Sequence, residues 1–572
     1  MRPRGPDNQS VVVEDGFALG HVRLSIIDVR EEANQPMRDK SGRYVIVYNG
    51  EIYNFQELRE TLRKKNIQLR TNSDTEVLLE MCVHIGLDET LFKVRGMFAF
   101  VFFDTATSKG FAVRDHFGQK PLFYSSVGKE LTIASAVEPI RSFHDFADPN
   151  LDAYQVFLST KGIVLPGQTF FKDISALPAG HVMEFGGSGI NIRRYFEPSS
   201  LIYSKTLSKH RKWRKDQILL NLESHFKTAV KRHLVSDVPV GILLSGGMDS
   251  TLLYWYASDI RNGLTCMTKI SPGIEKIPLS VVPKVMEMRP STSVFSVNKP
   301  EHYLADLDDF IKWYGSPPPW GGGPPMNRLC QEARDRGVKV MLSGDCCDEY
   351  SAGYESYHRA FDRFDGDMFE LGEQMGIDSS FPVFRRQAVD AFFDHQKDVR
   401  RELLDVFGFI KTSKERFMQA SLLHDTLQFL QSCVLPHSDA YSMKASIELR
   451  NPFLDIDLVR YVVNLPLHWR YYNKGSKYRL KRLFRDLAVN KIGAFMDVEK
   501  EGTRNFSMAI SDKKYWEFNN FSLNKIFQLP GKLTKKQIFR IISLELFHRR
   551  FILSQIDFLP SLLSGTGRGV LL

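Results

Sequence analysis

The chain has 572 residues, 43% of them hydrophobic and 25% charged, which is the composition of an ordinary globular protein long enough for roughly two to four domains. Its net charge of +9 is modest for this length, and its six scattered cysteines include no Cys-x-x-Cys pair, so nucleic-acid binding, a zinc site and a disulfide framework are disfavoured. Apolar runs stay shorter than the ~20 residues of a membrane helix, and we expect a cytoplasmic protein without a membrane partner.

The first part of the chain, residues 1–195, predicts an α+β layered domain. Apolar runs at 43–48 and 96–103 are bounded by Gly, Asn and Asp, which is typical of strands. Two stretches with helical spacing, 54–65 and 74–85, interrupt them. Strands interleaved with helices in this way favour layers of sheet and helix.

A second domain is predicted from 215 to 556, after a linker at 196–214. Strand signals alternate there with helical stretches, which favours an α/β domain with a parallel sheet and helices on both faces. The chain after about 355 is expected to be mostly helical, and 557–572 is expected to be a loose tail. The candidate strands are 240–244, 264–270 and 338–342.

The run Ser-Gly-Gly-Met-Asp-Ser at 245–250 is the most informative motif. It follows a candidate strand and precedes a helical stretch, so its turn aims unpaired backbone N–H groups at one point, where the helix N-terminus attracts phosphate. The two glycines let an anion approach the backbone closely. Asp249 is unexpected beside an anion unless a cation such as Mg²⁺ bridges it to the phosphates. The motif therefore predicts a nucleotide site with a metal such as Mg²⁺.

A second strand exit carries Ser343-Gly-Asp-Cys-Cys-Asp-Glu-Tyr. Alone, this run could be an acidic helix N-cap. Ligands of parallel sheets lie at the carboxyl ends of strands, so beside the 245–250 turn a metal and nucleotide role is favoured. The charged stretch 439–455 could be an ion-pair cluster or could line a site for a charged substrate. The Pro- and Gly-rich run 315–326 could be a rigid loop or could shape an acceptor pocket.

The order of motifs resembles that of the glutamine-hydrolysing asparagine synthetases over nearly all of residues 2–505. In the first domain the resemblance rests on Arg4-Gly-Pro-Asp, Gly20-His-Val-Arg-Leu-Ser-Ile-Ile-Asp, Asn49-Gly-Glu-Ile-Tyr-Asn and Ser73-Asp-Thr-Glu. In the second it rests on Ser236-Asp-Val-Pro-Val-Gly-Ile-Leu-Leu-Ser-Gly-Gly-Met-Asp-Ser. The resemblance implies a glutaminase-type α+β layered sandwich of the N-terminal-nucleophile kind, followed by an α/β ATP-pyrophosphatase domain with a parallel sheet.

The resemblance also implies a two-step amide synthesis. ATP activates a carboxylate, aspartate in the first place, as an acyl-adenylate, and glutamine or free ammonia supplies the nitrogen, with release of AMP and pyrophosphate. Two alternatives stay open: amidation of another carboxylate, such as a uronic acid of a surface polysaccharide or a natural-product precursor, and a non-catalytic relative. A homodimer is compatible with the resemblance.

Site residues are carried over by position. Arg23 and Asp74 suit the carboxylate and the amine of glutamine. The implied glutamine pocket consists of Arg23, Ile26, Ile27, Asn49, Gly50, Glu51 and Asp74. The implied ATP site consists of Leu243, Ser245, Gly246, Gly247, Asp249, Ser250, Lys269, Ser343 and Gly344. The implied catalytic residues are Asp249, Asp345 and Lys477, and the implied metal ligands are Asp249 and Asp348.

One departure concerns the nucleophile of the glutaminase half. Family members begin with a cysteine whose thiol attacks the glutamine amide. This chain begins at a segment that normally lies well downstream of that cysteine, and no cysteine precedes Cys82. We therefore expect a pocket with walls but no nucleophile, favour a truncated start over the use of free ammonia, and expect that glutamine does not support synthesis by the chain as written.

Overall fold

The computed structural model describes most of the chain, and in that part no helix is both long and apolar enough to cross a lipid bilayer. Side chains from both halves share one continuous hydrophobic core, which includes Phe98, Phe226 and Tyr350. The described ranges are 1–187, 189–270, 277–297, 303–369, 381, 383–471, 473–474, 477–478, 480–497, 510–527 and 533–564.

Antiparallel sheets form the framework of the first part of the chain. The strands are β1 (Asn8–Glu14), β2 (Phe17–Arg23), β3 (Met37–Arg38), β4 (Tyr44–Ile52), β5 (Gly96–Asp104), β6 (Lys109–Arg114), β7 (Phe123–Val127), β8 (Glu130–Ala134), β9 (Ser175–Ala176), β10 (His181–Gly186) and β11 (Gly189–Arg194). Among the described residues the largest sheet has the order β11-β10-β6-β5-β4-β3, and smaller sheets join β8-β7-β9 and β1-β2. The predicted strands 43–48 and 96–103 are confirmed as β4 and β5.

The helices of this part confirm the two predicted ones and add others. The helices are α1 (Phe55–Arg63), α2 (Asp74–His84), α3 (Leu87–Lys93), α4 (Val137–His144) and α5 (Leu151–Ser159). The Ser73 hydroxyl caps α2 by accepting the Glu76 N–H at 3.1 Å. This cap fixes a helix whose first turn is buried, and it holds Asp74 inside the domain.

Helices α4 and α5 were not predicted, because much of what stabilises them lies far away in the sequence. Their apolar side chains, including Ile140 and Phe157, belong to a core shared with residues beyond 500, such as Ile541. The Tyr154 hydroxyl also hydrogen-bonds Nδ1 of His548 at 3.0 Å. Local periodicity cannot reveal such partners.

A parallel sheet forms the centre of the second part, as predicted. The strands are β12 (Val240–Leu243), β13 (Thr265–Ile270), β14 (Thr292–Val297), β15 (Val340–Leu342) and β16 (Glu448–Arg450), with a small antiparallel pair of β17 (Asn473–Lys474) and β18 (Lys477–Tyr478). The parallel order is β14-β13-β12-β15-β16. The chain therefore proceeds to one side of β12 and then to the other, which opens a crevice at the carboxyl ends of β12 and β15.

Helices surround this sheet and connect it to the first part of the chain. The helices are α6 (Ser204–His210), α7 (Lys215–His233), α8 (Met248–Ile260), α9 (Ile277–Met288), α10 (Tyr303–Tyr314), α11 (Gly323–Arg334), α12 (Glu355–Arg363), α13 (Arg386–Val406), α14 (Ser413–Phe429), α15 (Leu435–Lys444), α16 (Ile456–Val463), α17 (Leu467–Arg470), α18 (Arg482–Lys491), α19 (Lys535–Phe547) and α20 (Leu559–Leu562). The expectation of a loose tail from 557 is wrong as far as Ser564. Phe558, Leu562 and Leu563 are buried there, and Leu563 forms a β-bridge with Trp516.

The Pro- and Gly-rich run 315–326 is partly a loop and partly helix. Its last residues open α11, where the missing N–H groups of Pro324 and Pro325 leave no helical hydrogen bond unmade. A Cβ on Gly323 would lie 2.8 Å from the Phe310 ring and 2.9 Å from Cε1 of His437. Glycine is therefore required for close packing, and the run supports the His437 side chain.

His437 is a buried imidazole in an aromatic cage. Its ring centroid lies 5.2 Å from that of Trp320 and 5.5 Å from that of Phe310. Neither ring nitrogen has a hydrogen-bond partner among the described residues. Burial lowers the pKa of His437 to about 3, so the ring is neutral in the folded protein at neutral pH.

We expect His437→Met to become more favourable as the pH falls. Below a pH of about 6.5, the pKa of His437 in the unfolded chain, the unfolded chain binds a proton that the folded protein does not bind. The wild type therefore loses stability as the pH falls, until the pH reaches the pKa of His437 in the folded protein. Between pH 7.5 and 5.5 the variant should gain about 1.4 kcal/mol relative to the wild type. Urea unfolding followed by tryptophan fluorescence at both pH values measures the difference. An equal stability difference at the two pH values would contradict the prediction.

Candidate active site

The turn after β12 has the geometry predicted for a phosphate loop. Gly246 has a φ of 74°, the left-handed region that favours glycine, and it redirects the chain from the strand into α8. Within the turn, the hydroxyls of Ser245 and Ser250 lie 3.0 Å apart, and the Ser250 hydroxyl donates to the Gly247 carbonyl at 3.1 Å. These bonds fix the turn at the N-terminus of α8, beside the crevice between β12 and β15.

The turn after β15 lies directly against the first one. A Cβ on Gly344 would come within 2.8 Å of the Ser250 backbone nitrogen, so only glycine fits this approach. The Ser343 hydroxyl donates to Asp345 at 2.7 Å, and its backbone N–H donates to the Arg450 carbonyl at 2.9 Å. The two strand exits thus form one compact site.

A buried lysine joins the acids of the two turns. Nζ of Lys481 contacts Asp249 and lies 2.7 Å from Oδ1 of Asp348. Burial alone would lower the pKa of this ammonium, but the carboxylates of Asp249 and Asp348 raise it overall. Burial raises the pKa of Asp345, and the carboxylates of Asp348 and Asp249 raise it further, against the hydrogen bond from the Ser343 hydroxyl.

The predicted ATP residues lie on β12 and β13 and in the turns that follow β12 and β15. Leu243 ends β12, and Lys269 lies on β13, two residues beyond Met267, the register partner of Leu243. Lys477 lies in β18, and its side chain is outside the described residues. Lys481 was missed, although it follows Lys477 at four residues in the same Lys-Tyr-Arg-Leu-Lys motif.

The acids of this site suit a cation that arrives with phosphates. In the described ranges no three His, Cys, Asp or Glu side chains are grouped as for a metal held by protein alone. Mg²⁺ in proteins is commonly held by one or two carboxylates together with substrate phosphates. Oδ1 of Asp249 is buried without a hydrogen-bond partner in the described structure, and this oxygen could accept such a cation.

The residues predicted to bind glutamine line a single cavity in the first domain, next to the second domain. Residues of β4 and of the first turn of α2 line this cavity, together with Met443 and Glu448 of the second domain. The predicted residues that line it are Arg23, Ile26, Ile27, Asn49, Gly50, Glu51 and Asp74.

Several polar atoms of this cavity have unused hydrogen-bonding capacity. Nδ2 of Asn49 and Oε2 of Glu51 are buried without a partner in the described structure. Oδ2 of Asp74 accepts the Tyr48 hydroxyl at 2.9 Å and the Ile52 N–H at 3.0 Å. Burial raises the pKa of Asp74 and of Glu51. A ligand with an amide and an ammonium group would satisfy these atoms, because unpaired buried polar groups are costly.

Arg23 has a different environment from the one expected for a carboxylate ligand. Its Nη1 donates to the Arg30 carbonyl at 2.8 Å and to Oδ1 of Asn34 at 2.9 Å, and its Nη2 donates to the carbonyls of Ile27 and Asp28. Both Nη atoms are thus engaged with the segment 27–34. Contact of Arg23 with a substrate carboxylate stays a prediction.

Arg450 connects the cavity with the nucleotide crevice. This arginine is fully buried at the end of β16, and its Nη2 lies 3.1 Å from Glu51 in the cavity. Its Nε donates to Glu448 at 2.8 Å, while its own backbone carbonyl accepts the Ser343 N–H at 2.9 Å. The charged stretch 439–455 is therefore an ion-pair network that also lines a cavity.

The described cysteines are poor nucleophiles. All six are buried, and Cys82 lies in α2. Burial raises the pKa of the Cys82 thiol to about 12. The thiolate is the nucleophilic form, so Cys82 does not supply one at neutral pH. Cys346 has a φ of 69° at the turn after β15, a conformation that strains a side chain other than glycine.

The two parts of the chain match two described protein families. Residues 1–196 match the family described as glutamine amidotransferase domain, and residues 221–493 match the family described as asparagine synthase. A putative asparagine synthetase [glutamine-hydrolyzing] 2 of Methanocaldococcus jannaschii is 30% identical over 380 residues, which are 62% of this chain and 71% of that protein. The chain belongs to the family of glutamine-hydrolysing asparagine synthetases. This is a family of carbon–nitrogen ligases.

Other members of the asparagine synthetase family and a differently named relative match as well. Asparagine synthetase [glutamine-hydrolyzing] 3 of Bacillus subtilis (strain 168) is 27% identical over 542 residues, covering 86% of this chain and 81% of that protein. A protein named amidase chyE, of Penicillium rubens, is 29% identical over 374 residues, covering 62% of this chain and 54% of that protein. The chain is thus similar to proteins whose names state different activities.

Proposed function

We propose that this chain is an ATP-dependent amide ligase that activates a carboxylate in the crevice between β12 and β15. The observation that carries the proposal is the contact of two glycine turns at the point where the strand order reverses, with Asp249, Asp348 and Lys481 grouped beside them. Such crevices bind nucleotides in open parallel sheets, and the N-terminus of α8 suits a polyphosphate.

The reaction has two balanced steps. An oxygen of the acceptor carboxylate attacks the α-phosphorus of ATP, and pyrophosphate leaves. Ammonia then attacks the acyl carbon, the bond from that carbon to the phosphate oxygen breaks, AMP leaves, and the nitrogen releases one proton as the amide forms. The turn at 245–250 would hold the leaving pyrophosphate, and Lys477 and Asp345 are proposed to act on the phosphates and on the adenylate. Mg²⁺, held by Asp249 and Asp348, would neutralise phosphate charge.

Glutamine is the proposed nitrogen source, with free ammonia as the alternative. The unpaired Nδ2 of Asn49 and Oε2 of Glu51 in the cavity, each without a hydrogen-bond partner among the described residues, support a ligand that is both an amide and an amine. The fold proposed for this half is the layered sandwich of N-terminal-nucleophile amidotransferases. A cytoplasmic location and a homodimer stay predictions from the sequence.

Aspartate is the proposed acceptor, and another carboxylate is the second candidate. Family membership favours aspartate. The second candidate is favoured by the relative named as an amidase and by the turn Asp345-Cys346-Cys347, in which a strained cysteine lies next to the acid proposed to act on the adenylate. Both candidates use the same adenylation chemistry, so a single assay can compare them.

Exchange of labelled pyrophosphate into ATP tests the proposed function. The full chain is assayed with aspartate and with a panel of other acids, including uronic acids, and amide formation is then measured with ammonium or glutamine. Exchange that depends on aspartate supports asparagine synthesis. Exchange with another acid but not with aspartate would identify that acid as the acceptor, and no exchange with any acid would refute the ligase function.

We expect Gly353→Ala to weaken nucleotide binding. An added Cβ would lie 1.9 Å from Oδ1 of Asp348 and 2.5 Å from Cε of Lys481, so the ion pair between them must shift. The Kd for a non-hydrolysable ATP analogue with Mg²⁺ should rise at least tenfold, or about 1.4 kcal/mol. Calorimetric titration measures it. Gly187→Ala is the control, since no atom of the described residues, its chain neighbours aside, lies within 4 Å of its added Cβ. Equal Kd values for the two variants would contradict the prediction.

A further inference from the structure

Lys481 occupies the space between the acids that are proposed to hold a metal. The residue is 4% exposed and directly precedes α18. Its Nζ contacts Oδ2 of Asp249 and lies 2.7 Å from Oδ1 of Asp348. The partners come from the two different strand exits, so a single ammonium group ties both turns of the crevice together.

The backbone at Lys481 and the space beside Gly353 allow this ammonium group to lie between the two acids. Lys481 has a φ of 51°, a left-handed conformation that costs a non-glycine residue on the order of 1 kcal/mol. Gly353 leaves open the space through which the lysine side chain passes, because a Cβ there would lie 2.5 Å from Lys481 Cε. A strained backbone and a cleared path are typical of a position fixed by function.

We propose that Lys481 is the resident counter-ion of the empty ATP site, which holds Asp249 and Asp348 together and excludes a free divalent cation from them until the nucleotide brings its own. The proposal rests on the proposed function. Two carboxylates and one ammonium leave a net charge of −1 beside the turn at 245–250. That charge attracts a bare divalent cation weakly, whereas the phosphates of a nucleotide add ligands and charge.

This arrangement predicts an order of binding. Magnesium enters with the nucleotide, and Lys481 exchanges its contact with at least one carboxylate for a phosphate oxygen. The two acids are kept from repelling each other in the empty protein, because like charges this close destabilise a site. Lys481 is a positioning residue in this scheme, and its effect on cation affinity distinguishes it from a lysine that only supports the fold.

Titration of the nucleotide-free full chain with Mn²⁺ alone, followed by electron paramagnetic resonance, tests the proposal. Lys481→Met should bind Mn²⁺ at least tenfold more tightly than the wild type, because the ammonium no longer competes for the carboxylates. The gain should vanish in the double variant Lys481→Met/Asp348→Asn. Lys491→Met is the matched control, since it removes a lysine of the same helix α18 that pairs with Glu223 at 2.8 Å, outside the crevice.

Equal Mn²⁺ affinity of Lys481→Met and Lys491→Met would overturn the proposal. If the methionine variant does not fold, Lys481→Gln replaces it, with the same tenfold expectation. The titration requires no turnover, so the two proposals fail separately. Pyrophosphate exchange without a gain in Mn²⁺ affinity removes the role of Lys481 alone. A gain in Mn²⁺ affinity without pyrophosphate exchange for any acid would refute the ligase function and support the counter-ion role of Lys481.

Discussion

Arg450→Met is expected to destabilise the protein by about 3–5 kcal/mol, since removal of one partner leaves buried charge uncompensated. The guanidinium is fully buried and contacts Glu51 at 3.1 Å and Glu448 at 2.8 Å. Its Nη1 also donates to the carbonyls of His233 and Val235 at 2.9 and 2.6 Å. Burial alone would lower the pKa of Arg450, and the two glutamates raise it overall. Urea unfolding followed by tryptophan fluorescence measures the shift.

Two comparisons separate the buried network from a general loss of charge. Arg63→Met removes an exposed arginine whose Nη1 lies 3.6 Å from Glu60, and we expect it to cost less than about 0.5 kcal/mol. The triple variant Arg450→Met/Glu51→Gln/Glu448→Gln should recover part of the lost stability, because the orphaned charges are gone. An Arg450→Met shift no larger than that of Arg63→Met would show that the buried charges are relieved in another way.

Arg450 connects two sites whose residues are far apart in the sequence. Its side chain reaches Glu51 in the cavity, and its backbone carbonyl accepts the Ser343 N–H at the nucleotide crevice. A displacement of Glu51 by a ligand would therefore act on a residue bonded to the turn after β15. Glu51 and Arg450 lie almost 400 positions apart in the chain and meet through their side chains. The register of β15 and β16 pairs Arg450 with Leu342, next to Ser343.

The parts of the fold that were predicted are those fixed by local pattern. The strand, glycine turn and helix around 245–250 follow from neighbouring residues, because an apolar run and two glycines leave few alternatives. The same holds for β4, β5 and α2. The residues predicted to bind glutamine were inferred from the family resemblance, and in the structure they line one cavity.

The parts that were missed depend on partners distant in sequence. Lys481 contacts Asp249 across 232 positions, and no spacing rule singles out one lysine of a basic motif over another. Helices α4 and α5 and the end of the chain up to Ser564 are stabilised by a core that joins residues from 137 to 563. Such contacts override local propensity, which is why the tail was expected to be loose.

Asp249→Asn is expected to lower the rate of acid-dependent pyrophosphate exchange at least 100-fold, in line with the loss of a group that stabilises transition-state charge. Asn keeps the shape of the side chain but removes the charge that pairs with Lys481, so the ammonium loses one of these two ion pairs and keeps the one with Asp348. The buried Oδ1 proposed for the cation becomes part of a neutral amide, which is a weaker ligand. Initial exchange rates at saturating acid and ATP measure the effect.

Asp259→Asn is the matched control for this variant. Asp259 lies on the same helix α8 at its other end, where its carboxylate is 47% exposed and pairs with Arg289. Both changes remove one negative charge from one helix, so a general effect of helix charge would lower both rates alike. We expect the control to keep the wild-type rate within about twofold, as surface pairs contribute little. If Asp249→Asn also stayed within that limit, Asp249 would have no part in adenylation, and Asp348 would become the candidate ligand.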